Sequence, residues 1–285
     1  MGVVNMVKNS TKRYLNALRL TVEEPSFSYL AKIMNAHLFT LPFENVSKLI
    51  YYQENAWENY TPDTQSFVDN FEKYKFGGTC FTVNQKVAAI LQDLGFDAYN
   101  INMGPEHIAT VVRLQSEHIL VDCAVSAPIF SPVRLERSDR NIYIYHDEKI
   151  VISPMDKENN LYEFKRYIKG TLTKDQWVFD AGQPRSQSYL DEMVARSHQQ
   201  GAMFMSLLRL QIWQPTRNIT LKNNRVRIYH PDGTTEKREL QSIKEIEEVV
   251  QHEFGLEKLP VRKAIECLEA RGIDVFASLN KEEAF

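Results

Sequence analysis

Residues 76–84 read FGGTCFTVN, and this stretch indicates how the first part of the chain folds. Two glycines, Gly77 and Gly78, predict a tight turn, and Cys80 follows after one further residue. Beyond the cysteine, apolar residues recur at helical steps of three and four, namely Val83, Val87, Ile90, Leu91 and Leu94. Gly95 is typical of a left-handed helix end. The pattern therefore predicts that Cys80 lies in the first turn of a helix.

The first turn of a helix is a favourable place for a reactive cysteine. Its N–H groups have no intrahelical partners, and its partial positive charge stabilises a thiolate. Cys80 is therefore a candidate nucleophile. A small buried cysteine at a helix start explains the same local pattern equally well, because free cysteine is among the most buried residue types.

A histidine and an aspartate lie at the ends of two neighbouring strand patterns. His107 begins an apolar, β-branched run over residues 107–114, and Asp122 ends a second run over residues 118–122. The short link between the two runs predicts a β-hairpin.

The register of this hairpin decides whether the two side chains can meet. If Arg113 faces His118, then His107 faces Ala124, and Asp122 lies two residues away on the same face. A register that differs by one residue would place the two side chains on opposite faces.

Cys80, His107 and Asp122 together make a candidate catalytic triad. His107 would take the thiol proton or hold the thiolate as an ion pair, and Asp122 would orient the imidazole. The alternative is that the histidine and the aspartate only form hydrogen bonds with the backbone, as polar residues at strand ends often do.

Composition limits the classes of function that fit. The chain has 285 residues, 43% of them hydrophobic, and a net charge of −3 without a long run of one sign, which argues against nucleic acid as a partner. No apolar run approaches the roughly 20 residues that span a bilayer, and residues 1–6 lack a signal-peptide pattern. Three sparse cysteines without zinc-ligand spacing predict a reduced, cytoplasmic protein with no metal and no membrane partner.

The order of the predicted elements indicates an α+β fold. Helical patterns fill residues 1–95, short strand patterns fill residues 96–185, and a helix, further strands and two closing helices follow in residues 186–285. Several short strands at close spacing suggest an antiparallel barrel or sandwich. Helices and strands that are segregated in this way argue against a parallel, doubly wound sheet.

Several of these segments, in this order, resemble the arylamine N-acetyltransferases. Residues 77–84 are similar to that family's Arg-Gly-Gly-x-Cys-x-Glu-x-Asn motif, and residues 41–45, LPFEN, are similar to its Pro-Phe-Glu-Asn signature. The family's triad histidine and aspartate match His107 and Asp122, the latter in a similar Val-Asp context.

The resemblance implies a fold in three parts. These are an N-terminal helical bundle that carries the nucleophile (1–95), a central antiparallel β-barrel that carries the histidine and the aspartate (96–185), and an interdomain helix with a C-terminal α/β lid (186–285). The core would be a Cys–His–Asp arrangement like that of cysteine proteases.

The resemblance also implies a reaction. Acetyl-CoA would acetylate the cysteine, and an arylamine, hydrazine or arylhydroxylamine would then take the acetyl group in a ping-pong sequence. The loop before the histidine contacts CoA in the family, which corresponds here to Met103 and Gly104. The expected partner is a small-molecule acceptor, and the protein is expected to be a monomer or a homodimer.

Three positions depart from the family pattern. Phe76 stands in place of the arginine before the two glycines, and Thr82 stands in place of the Glu or Gln after the cysteine. Residues 123–128, CAVSAP, replace a Gly-Phe-Gly type of loop, which narrows backbone freedom and removes an aromatic side chain. We expect altered acceptor specificity or reduced activity.

Two other functions are compatible with the same residues. One is a Cys–His–Asp amidase, or an acyltransferase with a different donor, because the triad chemistry is shared. The other is a scaffold that binds CoA or a small aromatic molecule without turnover.

Overall fold

The computed structural model describes residues 7–55 and 60–277. The helices in these residues are α1 (Asn9–Ala17), α2 (Phe27–Thr40), α3 (Val46–Asn55), α4 (Thr64–Tyr74), α5 (Cys80–Asp93), α6 (Gln187–Ser197), α7 (Ile243–His252) and α8 (Val261–Glu269), with a 3₁₀ turn at Met203–Met205. The strands are β1 (Phe43–Glu44), β2 (Asp97–Gly104), β3 (His107–Leu114), β4 (Glu117–Val121), β5 (Val133–Arg134), β6 (Asn141–Tyr145), β7 (Glu148–Asp156), β8 (Leu161–Ile168), β9 (Thr171–Asp180), β10 (Arg209–Gln214), β11 (Arg217–Lys222), β12 (Arg225–Tyr229) and β13 (Thr235–Glu239). The predicted α+β class is confirmed.

Local sequence signals account for the limits of the N-terminal helices. Ser26 caps α2 by accepting a hydrogen bond from a backbone N–H in its first turn, and Pro42 lies just beyond its end. Asp63 caps α4 in the same way. Helix α5 begins at Cys80, as predicted, and Gly95 follows it with a φ of 87°.

The strands form three antiparallel sheets. Strands β2–β5 form one four-stranded sheet and β6–β9 form another, while the third has the order β1-β10-β11-β12-β13. The expected barrel is not confirmed, because in the described residues no ladder joins the first two sheets. Strand β5 pairs with β4 through only two residue pairs, so it is too short to continue the first sheet, whereas a barrel needs paired edges all round.

Burial divides the apolar side chains between two clusters. The larger one combines α1, α2, α4 and α5 with the two four-stranded sheets. The smaller one lies under the five-stranded sheet, where alternate residues such as Leu210, Ile219 and Leu221 pack with α7 and α8. Helix α3 also contributes to this smaller cluster through Val46 and Leu49. The division of the chain at residues 95 and 185 stays a prediction.

None of the helices in the described residues combines the length and the apolar character that a membrane crossing requires.

Candidate active site

A backbone platform supports the glycine turn before Cys80. Phe43 forms a parallel bridge with Gly78, and the Glu44 N–H donates to the Gly78 carbonyl at 3.1 Å. A Cβ atom at Gly77 would lie 1.8 Å from the carbonyl oxygen of Pro42, so only glycine allows this approach. The segment around Pro42 therefore fixes the path of the turn.

A buried carboxyl group lies under the same turn. Glu44 accepts hydrogen bonds from the Gly77 N–H at 3.0 Å, from the Ser47 N–H at 2.8 Å and from the Ser47 hydroxyl at 2.6 Å. Burial raises the pKa of Glu44, although these donors oppose the shift. No basic side chain of the described residues forms an ion pair with it. Thr82, which stands in place of the family's Glu or Gln, packs against Gly78 in the same turn.

Cys80 is the first residue of α5 and is only 3% exposed. Its thiol donates to the carbonyl of Glu106 at 3.6 Å, in the loop just before His107. The helix start and this loop therefore meet at the sulfur atom.

The hairpin has the first of the two registers considered for it. Arg113 pairs with His118, so His107 and Asp122 lie on the same face. His107 Nε2 lies 2.5 Å from Asp122 Oδ2, which leaves Nδ1 as the ring nitrogen that can meet the sulfur of Cys80. The structure thus brings all three predicted residues together.

The charge state of His107 follows from its two neighbours. Burial lowers the pKa of His107, but the charge of Asp122 and hydrogen bonds from Asp122 and Cys80 outweigh burial, so the net shift is upward. An imidazolium is therefore favoured at neutral pH, beside a thiol that can lose its proton to form an ion pair.

Asn84 joins the helix to the hairpin. Its amide donates to Asp122 Oδ1 at 3.0 Å and to the Ile108 carbonyl at 2.7 Å, and its oxygen accepts the Cys123 N–H at 3.2 Å. The Ala124 N–H also donates to Asp122 Oδ1, at 2.9 Å. These bonds orient the carboxylate toward His107. Asn84 was not among the candidate residues, although it follows Cys80 by one helical turn, which places it on the same helix face.

Trp177 covers the other side of His107. The two rings stack with centroids 5.5 Å apart and an interplanar angle of 24°. Strand β9 carries this residue, and no local pattern in the sequence connects it with the histidine. Phe164 stacks on the outer face of Trp177 at 4.9 Å.

The other cysteines lie in different environments. Burial, with a smaller contribution from the charge of Asp122, raises the pKa of Cys123 well above its usual value. Burial also raises the pKa of Cys267, which lies on α8 within the smaller core cluster. No histidine is among the groups that shift the pKa of either thiol, whereas Cys80 acts on the pKa of His107. His37 is buried and hydrogen-bonded to the Tyr14 hydroxyl at 2.8 Å, and burial lowers its pKa to about 3, so it serves packing.

The predicted CoA-contacting residues occupy a packed position. Met103 is fully buried, and the Cα of Gly104 lies so close to Trp177 that an added Cβ would be 2.8 Å from the indole. Pro105 and Glu106, which follow them, are exposed. A ligand could therefore contact this loop at residues 105–106, beside the two residues that the resemblance implies.

The positions that depart from the family pattern have defined surroundings. Phe76 is buried against the rings of Tyr51, at 5.6 Å, and Tyr74, at 5.1 Å. Ser126, in the loop after Asp122, has a φ of 54°, a region that favours glycine. Arg166 donates to the Ser126 carbonyl at 3.0 Å and holds this loop.

In the described residues, no group of three or more His, Cys, Asp or Glu side chains could hold a metal ion.

Comparisons with known proteins agree on one family. The model of the N-acetyltransferase family, Acetyltransf_2, matches residues 26–262. The fold is similar to that of the arylamine N-acetyltransferase from Salmonella typhimurium, with a TM-score of 0.73, 18% identity, and coverage of 93% of this chain and 99% of that one. It is also similar to the enzyme from Mycobacterium abscessus (TM-score 0.72, 19% identity, 90% and 93% coverage).

A third similar structure is arylamine N-acetyltransferase C from Bacillus anthracis, with a TM-score of 0.71, 17% identity, and coverage of 88% of this chain and 100% of that one. No curated protein matches the chain by sequence. The family model covers most of the chain, and the folds agree over nearly its whole length. This chain therefore belongs to the arylamine N-acetyltransferase family.

Proposed function

We propose that the protein transfers the acetyl group of acetyl-CoA to an arylamine or hydrazine, through an acetyl-cysteine at Cys80. The observation that carries this proposal is the position of His107, which lies between Asp122 at 2.5 Å and the thiol of Cys80 at the start of α5. Membership of the family supports acetyl-CoA as the donor.

In the first half-reaction, the Cys80 thiolate attacks the thioester carbonyl of acetyl-CoA. The new S–C bond forms, the CoA thiolate leaves, and His107 gives it a proton. N–H groups in the open first turn of α5 are available to stabilise the oxyanion of the tetrahedral intermediate.

In the second half-reaction, the amine of the acceptor attacks the carbonyl of acetyl-Cys80. Neutral His107 takes a proton from the nitrogen as the N–C bond forms, and Cys80 leaves as a thiolate. The imidazolium–thiolate pair is thereby restored. Asp122 keeps the imidazole in the orientation that both half-reactions need.

The donor would approach past the exposed loop at Pro105 and Glu106. This loop follows Met103 and Gly104, and the Glu106 carbonyl accepts from the Cys80 thiol. A pantetheine arm that lies along this loop would bring its thioester to the sulfur atom.

The experiment is intact mass spectrometry after incubation with acetyl-CoA. We expect the wild-type protein to gain one acetyl group, which an arylamine then removes as the acetylated product appears. Cys80→Ala should gain none. Cys123→Ser is the matched control, since burial disfavours the thiolate of Cys123, and it should acquire the acetyl group as the wild type does.

A wild-type protein that stays unmodified by acetyl-CoA would contradict the proposal. Acetylation that persists in Cys80→Ala and disappears in Cys123→Ser would show that the nucleophile is assigned to the wrong cysteine.

A further inference from the structure

Helix α3 carries a lysine whose ammonium group is buried. Lys48 is 7% exposed, and its Nζ donates to the Ser197 hydroxyl at 2.6 Å, at the end of α6. In the part of the chain that the structure describes, no carboxylate lies within ion-pair distance of Nζ. Burial lowers the pKa of Lys48 to about 7, because a charged ammonium group is disfavoured away from water.

The negative charge of a Cys80 thiolate acts on Lys48 and raises the pKa of the lysine. The ammonium group donates its hydrogen bond to Ser197 and makes none to the sulfur. Lys48 therefore lies within electrostatic reach of the nucleophile, where it can act on a charged group of a molecule that reacts there.

Two partly exposed aromatic rings lie in the same region. Phe43, which bridges to Gly78, packs edge-on against Phe204 with ring centroids 5.4 Å apart. Asn45 fixes Phe204 in place, because its amide donates to the Phe204 carbonyl at 2.8 Å. Aromatic surface beside the nucleophile and a buried ammonium group beyond it suit a ring with an anionic substituent.

We propose that Lys48 is a specificity-determining residue that binds the carboxylate of an anionic aryl acceptor, whose ring packs against Phe43 and Phe204. This inference rests on the proposed function, because it names the acceptor class of that reaction. The carboxylate supplies a counter-ion that the described residues do not, so binding recovers part of the cost of burying the ammonium group.

Two acceptors of nearly equal size and shape test the inference, namely 4-aminobenzoate and its uncharged analogue 4-aminobenzamide. We measure kcat/KM for both with acetyl-CoA as donor. The wild type should prefer the acid by at least about tenfold, in line with one buried charge-assisted hydrogen bond. In Lys48→Met the ratio should fall to about one, and Lys48→Arg should restore part of it. Lys12→Met, at an exposed lysine on α1, should keep the wild-type ratio.

Binding is measured separately by titration calorimetry of the same two compounds without donor. A preference for the acid in binding that Lys48→Met abolishes would support the inference, even if no acetyl transfer were found and the proposed function failed. A wild type that acetylates and binds both compounds equally would overturn the inference, whatever the variants do, and would leave the proposed function intact.

The acetyl donor, acetyl-CoA, is also an anion. The rate at which it acetylates Cys80 is therefore measured in the wild type and in Lys48→Met as well. If Lys48→Met slows the acetylation of Cys80 by acetyl-CoA and leaves the ratio between the two acceptors unchanged, then Lys48 serves the donor phosphates and the inference is wrong.

Discussion

Two buried carboxyl groups support the surroundings of Cys80, and they are stabilised in different ways. Asp122 faces His107, so its charge is matched by an imidazolium and oriented by Asn84. Among the described residues, Glu44 has N–H and O–H donors from the turn and from the start of α3 but no cation, and burial raises its pKa. Asp122 sets the charge and orientation of His107, which reacts with Cys80. Glu44, which in the described residues has hydrogen-bond donors but no cation, instead holds the backbone of the glycine turn in place.

The comparison also explains how the chain accommodates Phe76. The family's motif has an arginine at this position, and here the aromatic side chain joins the apolar cluster around Tyr51. Glu44 keeps its hydrogen bonds to Ser47 and Gly77 without a cation. The hydrogen bonds to Glu44 therefore support the glycine turn without an ion pair.

The largest expected effect is the loss of activity when Asp122 is changed. Asp122→Asn keeps the shape of the side chain but removes the charge that raises the pKa of His107. We expect kcat/KM to fall by about 10³–10⁴, as for a triad that loses its orienting carboxylate. Alkylation of Cys80 at neutral pH should also slow. A variant that stays within tenfold of the wild type, with an unchanged melting temperature, would show that Asp122 does not control His107.

Gly77→Ala should have the largest effect on stability. The added Cβ would lie 1.8 Å from the carbonyl oxygen of Pro42, and backbone atoms on both sides cannot easily move. We expect a loss of about 3 kcal/mol or more in the free energy of unfolding, measured by urea denaturation.

A matched control is Gly182→Ala, where the new Cβ would meet the side-chain amide of Asn160 at 2.9 Å, a group that can rotate away. Its cost should be clearly smaller. Equal costs at the two glycines would mean that the platform at Pro42 is not rigid.

Glu44→Gln should destabilise the fold by about 1–3 kcal/mol, because an amide cannot accept from all the donors that converge on the carboxyl group. The folded pKa of Glu44 is raised, so the folded state holds the proton more tightly than the unfolded state does. Wild-type stability therefore declines as pH rises from the ordinary glutamate pKa to the raised one.

The cost of Glu44→Gln should accordingly be largest at acidic pH and should shrink as pH rises. Urea denaturation at several pH values measures this trend, with the exposed Glu257→Gln as control. A cost that grows with pH would show that the ionised form of Glu44 is the stabilised one.

The smallest expected effect is a gain in stability from a substitution in the loop after Asp122. Ser126 has a φ of 54°, so Ser126→Gly relieves strain and should stabilise the protein by about 0.5–1 kcal/mol, after allowing for the greater freedom of glycine when unfolded. The neighbouring variant Ala127→Gly, at a buried residue without a positive φ, should destabilise instead. A loss of stability in Ser126→Gly would mean that the serine side chain contributes more than its backbone strain costs.

Local periodicity was enough to locate the pieces of the candidate site. Helical spacing after Cys80 and the glycine at its end predicted α5, and the parity of the hairpin predicted that His107 and Asp122 share a face. Both inferences depend on residue patterns that repeat every two to four positions, and such patterns can be read from the sequence alone. The α+β order of elements followed for the same reason.

Only the tertiary structure decided which side chains complete the site and how the sheets end. Glu44 reaches the Gly77 turn, Trp177 covers His107, and Lys48 is buried beside α6, in each case through contacts between distant parts of the chain. The expected barrel is not confirmed for a related reason, because closure depends on whether edge strands of different sheets pair, and no local pattern specifies that. Sequence patterns indicate the secondary structure that each segment prefers. Contacts between residues far apart in the chain are decided by how the segments pack together.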